Sequence, residues 1–241
     1  MLRWYAGLMI LAFGFFALYE IVEAPRSGAF EPVVTHGSGR AIALTFDDGP
    51  TRGVTDGLLA VLEREHVPAT FFVVGRAARR EPGLLRRMAA DGDEIENHSD
   101  THAHLNMLLP AALDRELDRA DAAIAAVTGR HAVYLRPPFG ARNAAVLDAA
   151  RRRGMQVVLW SVAAGGPPIG SFTREDERRA YAEELAARVD DGAIVLLHDG
   201  DRGRGDTGEL AFQAEAVPYL ISALRAHGDR FVTVAQMVAG R

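Results

Sequence analysis

The sequence predicts an α/β fold, a distorted or incomplete (β/α) barrel with about seven parallel strands, preceded by an N-terminal hydrophobic helix. Three observations predict it. Short apolar runs of strand length alternate with longer amphipathic stretches through most of the chain. Prolines and glycines fall where such helices start and stop. Polar residues able to do chemistry stand where the apolar runs end, which in a parallel barrel is a single rim.

The 241 residues suit one well-buried domain. Trp4 to Val22 is an almost unbroken apolar run of about the length a bilayer-spanning helix needs, so residues 1–23 read as a transmembrane anchor or signal segment. Arg3 precedes it and Glu20 and Glu23 follow, a bias that places the body outside the cytoplasm, held at the cell membrane or secreted if the run is cleaved. Residues 24–39, with Pro, Gly and Ser, read as a linker, and residues 40–241 as the folded domain. Within that domain Ala41 to Phe46, Thr70 to Val74, Ala132 to Leu135, Gln156 to Trp160, Ala193 to Leu197 and Phe231 to Val234 are strand-like, with a shorter run at Glu94 to Glu96. Thr55 can cap a helix running to Glu65, Pro82 and Pro110 suit first turns, and Gly92, Gly129, Gly154 and Gly228 suit helix ends. Strand, helix, strand in repetition implies parallel strands joined by right-handed crossovers.

Composition narrows the chemistry. With no cysteine, disulfides and thiolate metal sites are excluded, and any metal must use histidine and carboxylate. A net charge of -5 without a basic stripe argues against a nucleic-acid partner, and no feature of the pattern sets an oligomeric state.

Five strand-end segments supply a site: Thr45 to Pro50, Asn97 to His102, Arg136 to Gly140, Leu159 to Ala163 and Leu196 to Asp199. Asp48, His98 and His102 form the candidate metal set, since two imidazoles and one carboxylate leave a divalent ion open to water and substrate. His98 and His102 are four apart, so one helical turn would put both on one face. Alone, that pair reads equally well as two polar loop residues. Beside a strand-end Asp-Asp it reads as a metal site. Adjacent strand residues point to opposite faces, so Asp47 takes a different task, as base toward the water. Arg136, before Pro137-Pro138, is a fixed cation that would hold and aim Asp47. His198 could protonate a leaving group, because imidazole titrates in the right range. His104, two residues past His102, reads as a loop residue rather than a ligand, and Ser99 as a hydrogen-bonding member of the same loop.

These residues resemble the polysaccharide deacetylase family, the NodB-homology group of carbohydrate esterases. The likeness spans Arg40 to Met237 and rests on Thr45-Phe46-Asp47-Asp48-Gly49-Pro50, His98-Ser99-Asp100-Thr101-His102 and Arg136-Pro137-Pro138-Phe139-Gly140. It implies a metal-dependent hydrolase that removes N-acetyl, or less often O-acetyl, groups from an envelope or extracellular glycan such as peptidoglycan or chitooligosaccharide. Zinc is the first expectation, with cobalt or another divalent ion also compatible. The resemblance implies that Asp47 is the base, that Asp48, His98 and His102 hold the metal, and that His198 is the acid. It further implies an oxyanion donor in the backbone near Phe139 and an acetyl-methyl pocket at Leu196, with Trp160 on the substrate side. Family members carry an aspartate after the tryptophan strand that braces the arginine; here Ala163 stands in its place. The loss leaves open an Arg136 that is less well oriented, an Arg136 braced instead by Asp199, Asp201 or Asp206, and a non-catalytic glycan-binding protein. A hydrolase of non-carbohydrate amides is the third reading.

Overall fold

The computed structural model describes residues 33–165, 174–200 and 208–240. Along the described residues run β1 (Ala41–Asp47), α1 (Thr55–Glu65), β2 (Thr70–Val73), α2 (Gly75–Arg80), α3 (Pro82–Asp91), β3 (Glu94–Asn97), α4 (Pro110–Thr128), β4 (Tyr134–Leu135), α5 (Ala144–Arg152) and β5 (Gln156–Val157). They continue with β6 (Val162–Ala163), α6 (Glu175–Ala186), β7 (Ile194–His198), α7 (Gly208–Ala226), β8 (Arg230–Phe231) and α8 (Val234–Ala239). All the strands pair in parallel, in the order β5-β4-β3-β2-β1-β7-β6, with β8 against β1.

That order curls the sheet. β5 and β6 lie at opposite ends of it, yet only Val158 to Ser161 separate them in sequence, and a chain spans at most about 3.5 Å per residue. The two edges must therefore approach one another, which makes the barrel. The segment before β1 enters beside the β5 edge: Val34 N–H donates to the Val157 carbonyl at 2.8 Å and its own carbonyl accepts from Leu159 N–H at 2.7 Å, while Gly37 N–H donates to the Gly192 carbonyl at 2.7 Å just before β7. Two expectations are corrected here. The strand expected over Gln156 to Trp160 breaks after Val157, because the chain must cross from one edge to the other. The expected linker ends before residue 39, because Val34 is 1% exposed and belongs to the fold. Residues 1–32, which include the expected membrane segment, lie outside the described residues; among those described, no helix is long and apolar enough to cross a membrane.

Alternation along each strand sorts side chains into two layers. Ile42, Leu44 and Phe46 of β1, Phe71 and Val73 of β2, and Val195 and Leu197 of β7 face the helices and join the larger core cluster. Those helices meet them with apolar stripes, as in α1, whose buried Thr55, Leu58, Leu59 and Leu62 follow the helical period. Each fully buried leucine or phenylalanine of this layer contributes roughly 1.5–3 kcal/mol. The opposite face looks into the barrel. It is packed by Ala41, Ala43, Phe72, Tyr134, Val158 and Ile194; at the carboxyl ends of the strands the same face turns polar.

The punctuation largely behaves as the sequence predicts. Pro82 and Pro110 open α3 and α4, and Gly92 and Gly129 close them in the left-handed region. Thr55 is the exception. It is the first residue of α1 rather than its cap, and its hydroxyl accepts from Thr51 N–H at 2.8 Å while donating to Asp199 Oδ2 at 2.7 Å.

Candidate active site

The same alternation delivers the site residues. Thr45 and Asp47 are two apart on β1, and Leu196 and His198, their register partners on β7, stand beside them. His98 follows Glu94 and Glu96 at even spacing, and Arg136 follows Tyr134. All these side chains therefore reach the inner face. Asp48 should point the other way, but its φ of 76° is left-handed, and that single turn swings its carboxylate back toward the same space. Gly49 follows, joined to Pro50 by a cis peptide. A Cβ at Gly49 would overlap the Asp199 carboxylate, and one at Gly200 would overlap the Asp48 backbone, so the loops after β1 and β7 interlock only through glycine.

Asp48 Oδ1 lies 3.0 Å from His102 Nε2 and 3.3 Å from His98 Nε2, and the ligand atoms of the three residues all fall within 4.8 Å of one another. Their side chains are only 1, 5 and 2% exposed, in the order Asp48, His102, His98. His98 Nδ1 is 2.7 Å from the Arg136 carbonyl; a carbonyl only accepts, so Nδ1 carries a proton and Nε2 faces the triad, where it donates to Asp48 when the ring is protonated and has a lone pair for a metal when the ring is neutral. A histidine fixed in this way is the usual form of a metal ligand, and the donor set fits a divalent ion. Burial would raise the Asp48 pKa, but hydrogen bonds and charge from His102 and His98 outweigh it and hold the carboxyl well below the ordinary range. Burial likewise opposes protonation of His98, and the Asp47 and Asp48 carboxylates overcome it, raising that imidazole.

The helical turn expected between His98 and His102 is absent. Ser99 and His102 have φ of 63° and 61°, and the loop is tied by hydrogen bonds instead. His102 N–H donates to Ser99 Oγ at 3.0 Å and Ser99 N–H to Asn97 Oδ1 at 2.9 Å, as expected of a loop serine. Glu116 of α4 grips the loop from outside, accepting from Asp100 N–H (3.0 Å), Thr101 N–H (2.8 Å) and Thr101 Oγ1 (2.9 Å). No local signal in the sequence marks Glu116, sixteen residues away on a helix.

Asp47 sits beside the triad, with Oδ2 3.8 Å from His98 Nε2 and Oδ1 accepting from Arg136 Nη1 at 2.7 Å. Phe139, in a 3-10 turn at Pro138–Gly140, has φ 63° and remains 37% exposed. Its ring centroid lies 4.6 Å from that of His102 in a T-shaped pair at 76°, and 4.0 Å from that of His104 in a stack at 7°. His104 is thus outside the triad, as expected, but not an idle loop residue. Trp160 is half-buried, its ring 5.8 Å from the Arg136 guanidinium. Leu196, 6% exposed, shares the inner face with Thr45, and the half-buried His198 receives its backbone anchor from Gln213 Oε1 at 3.2 Å.

Comparison with known proteins decides what this arrangement belongs to. The family model described as polysaccharide deacetylase matches residues 35–158. This chain belongs to the polysaccharide deacetylase family. A chitooligosaccharide deacetylase of Bradyrhizobium sp. (strain ANU 289) is 37% identical over 204 residues, 82% of this chain and 90% of that one. The peptidoglycan-N-acetylglucosamine deacetylase PgdA of Listeria monocytogenes is 31% identical over 83% of this chain and 39% of its own length. Among solved structures, Bacillus subtilis PdaA, a family 4 carbohydrate esterase, superposes with a TM-score of 0.71 at 30% identity, covering 86% of this chain and 85% of that one.

In this polysaccharide deacetylase Arg136 is held without a carboxylate at position 163. Arg136 is fully buried. Its Nη1 also donates to Thr45 Oγ1 (2.8 Å), Nη2 to the Leu159 carbonyl (2.8 Å) and Nε to the Val158 carbonyl (3.4 Å), and the guanidinium lies 4.1 Å over the Phe72 ring. Two of these acceptors are main-chain oxygens of the edge-crossing segment. Asp199 does not brace the arginine; its carboxylate is held by Thr55 and lies against Gly49. Asp201 and Asp206 lie outside the described residues. Burial, reinforced by the nearby Asp48 and Asp47, pushes the Asp199 carboxyl up to about 7.

Proposed function

We propose that this protein hydrolyses the N-acetyl group of N-acetylglucosamine units in a chitooligosaccharide or peptidoglycan strand, releasing acetate and leaving a free amine. The observation that carries the reading is the convergence of Asp48, His98 and His102 beside an Asp47 clamped by Arg136. The metal set would hold a divalent ion, zinc by the chemistry of its ligands, which when bound supplies Lewis-acid polarisation of the acetyl carbonyl and lowers the pKa of water. Asp47 takes a proton from the attacking water, and Arg136 keeps that carboxylate oriented. As charge grows on the carbonyl oxygen, the backbone N–H at Phe139 is the donor aimed at it. Leu196 bounds the acetyl methyl. His198, set in register with Asp47 on the adjacent strand, gives a proton to the departing nitrogen, so the amine leaves rather than its anion.

The test is acetate release by the zinc-reconstituted chain from N-acetylated chitooligosaccharides and from peptidoglycan. Asp47→Asn should lower kcat by about a thousandfold or more while zinc binding, followed by titration calorimetry, is retained. A variant that keeps the parental rate removes Asp47 as base, and a parent inert on both polymers removes the substrate class.

A further inference from the structure

Phe139 is held in a conformation that a bulky residue avoids. Its φ of 63° and ψ of 5° lie in the left-handed region, where the side chain crowds its own backbone, and such strain persists only when the surroundings impose it. The Pro137-Pro138 pair and the turn bond from Gly140 N–H to the Pro137 carbonyl, 2.9 Å, impose part of it. The rest falls on the ring, which stands at 76° to the His102 ring and lies face-on to His104. The His104 loop is itself anchored: Leu105 is 1% exposed, and Asn143 Nδ2 donates to the Asn106 carbonyl at 3.0 Å. His104 is exposed to solvent, so its ring is not there to fill the core. What it does is cover one face of Phe139.

We propose that His104 is a positioning residue for deacetylation: stacked on Phe139, it fixes the backbone N–H of Phe139 toward the acetyl oxygen and buttresses the ring of His102. The first half rests on the reading of Phe139 as the donor to that oxygen; the second rests on the packing of the rings alone. A stacked pair of this kind is worth a factor of about three to ten. Losing it should lower the chemical step rather than substrate binding, because the donor matters most when charge has developed.

The experiment measures kcat and KM on N-acetylated chitooligosaccharides, and zinc affinity of the metal-free chain, for the parent, His104→Ala and His104→Phe. Expected for His104→Ala is a fall in kcat of about three- to tenfold with KM within about twofold, together with weaker zinc binding. His104→Phe, which keeps a flat ring and discards the imidazole nitrogens, should restore both. Parental kcat and zinc affinity in His104→Ala would overturn the proposal. So would a phenylalanine variant as impaired as the alanine one, or a rise in KM at unchanged kcat, which would mark His104 as a sugar contact instead. Should the parent release no acetate, the deacetylation reading fails, and the zinc affinities of the three chains still decide whether His104 holds His102 through Phe139.

Discussion

Whether two adjacent carboxylates can serve one site turns on a single backbone angle. The inward parity of Asp47 with Ala43 and Thr45 is legible in the sequence, because strand alternation is strict. The φ of 76° that brings Asp48 alongside it is not, since a left-handed aspartate leaves no compositional mark beyond the glycine that follows. Arg136 shows the same division. Its place at a strand end beside Asp47 follows from the pattern, whereas its four acceptors on Thr45, Asp47, Val158 and Leu159 are set by the curl of the sheet. Those acceptors already occupy four of the five guanidinium N–H groups, so restoring the family carboxylate should add little: Ala163→Asp is expected to leave kcat/KM within about twofold. Arg136→Lys, by contrast, offers a point charge where a planar fork is needed. It should cost on the order of a hundredfold in kcat/KM through the misplaced Asp47. It should also lower the melting temperature, since a lysine cannot reach all of the buried acceptors that the guanidinium satisfies, the Val158 and Leu159 carbonyls among them, and each one left unpaired costs about 1–3 kcal/mol. A lysine variant with parental kinetics would show that charge alone suffices.

At the scale of elements, the ligand loop between β3 and α4 depends on a helix it does not belong to. His98 is fixed by the end of β3, but His102 is carried by a loop with two left-handed residues, whose amides at Asp100 and Thr101 are held by Glu116. The sequence shows the HxxxH spacing and suggests a helical turn; it does not show that a glutamate on α4 replaces the helix's own hydrogen bonds. Glu116→Ala removes three acceptor contacts at once. Support of this kind typically governs metal affinity by a factor of ten or more, so zinc binding to the metal-free chain should weaken about tenfold, with Asp48 and His98 unaltered. Calorimetric titration checks this, and unchanged affinity would show that the loop holds His102 without α4. Glu116→Gln, whose carbonyl still accepts from the two amides, should lie close to the parent.

For the whole molecule, the barrel is legible because its period is, whereas its closure is not: Val34 and Leu159 are bonded across most of the chain, beyond the reach of any local pattern. The fold also buries acids at and just before β3, among them Glu96, whose Oε2 accepts from Val133 N–H at 2.8 Å and Tyr134 N–H at 2.7 Å. Burial raises Glu96 from 4.5 to about 8, outweighing those two hydrogen bonds. Asp93 is raised by burial to about 7, and Glu94 is raised for the same reason. A carboxyl whose pKa is higher in the folded chain binds more protons folded than unfolded. Its stabilisation is therefore complete below the unfolded value and is lost as pH rises through the folded one, each tenfold difference in proton affinity between the two states being worth about 1.4 kcal/mol. The melting temperature of the metal-free protein should accordingly fall as pH rises from 4.5 to about 8. Glu96→Gln keeps an acceptor for both amides and has no proton to lose, so it should flatten that slope and make the protein more stable than the parent at the alkaline end. Thermal melts of both chains across the window check this; parallel slopes would mean that Glu96 is ionised in the folded protein throughout.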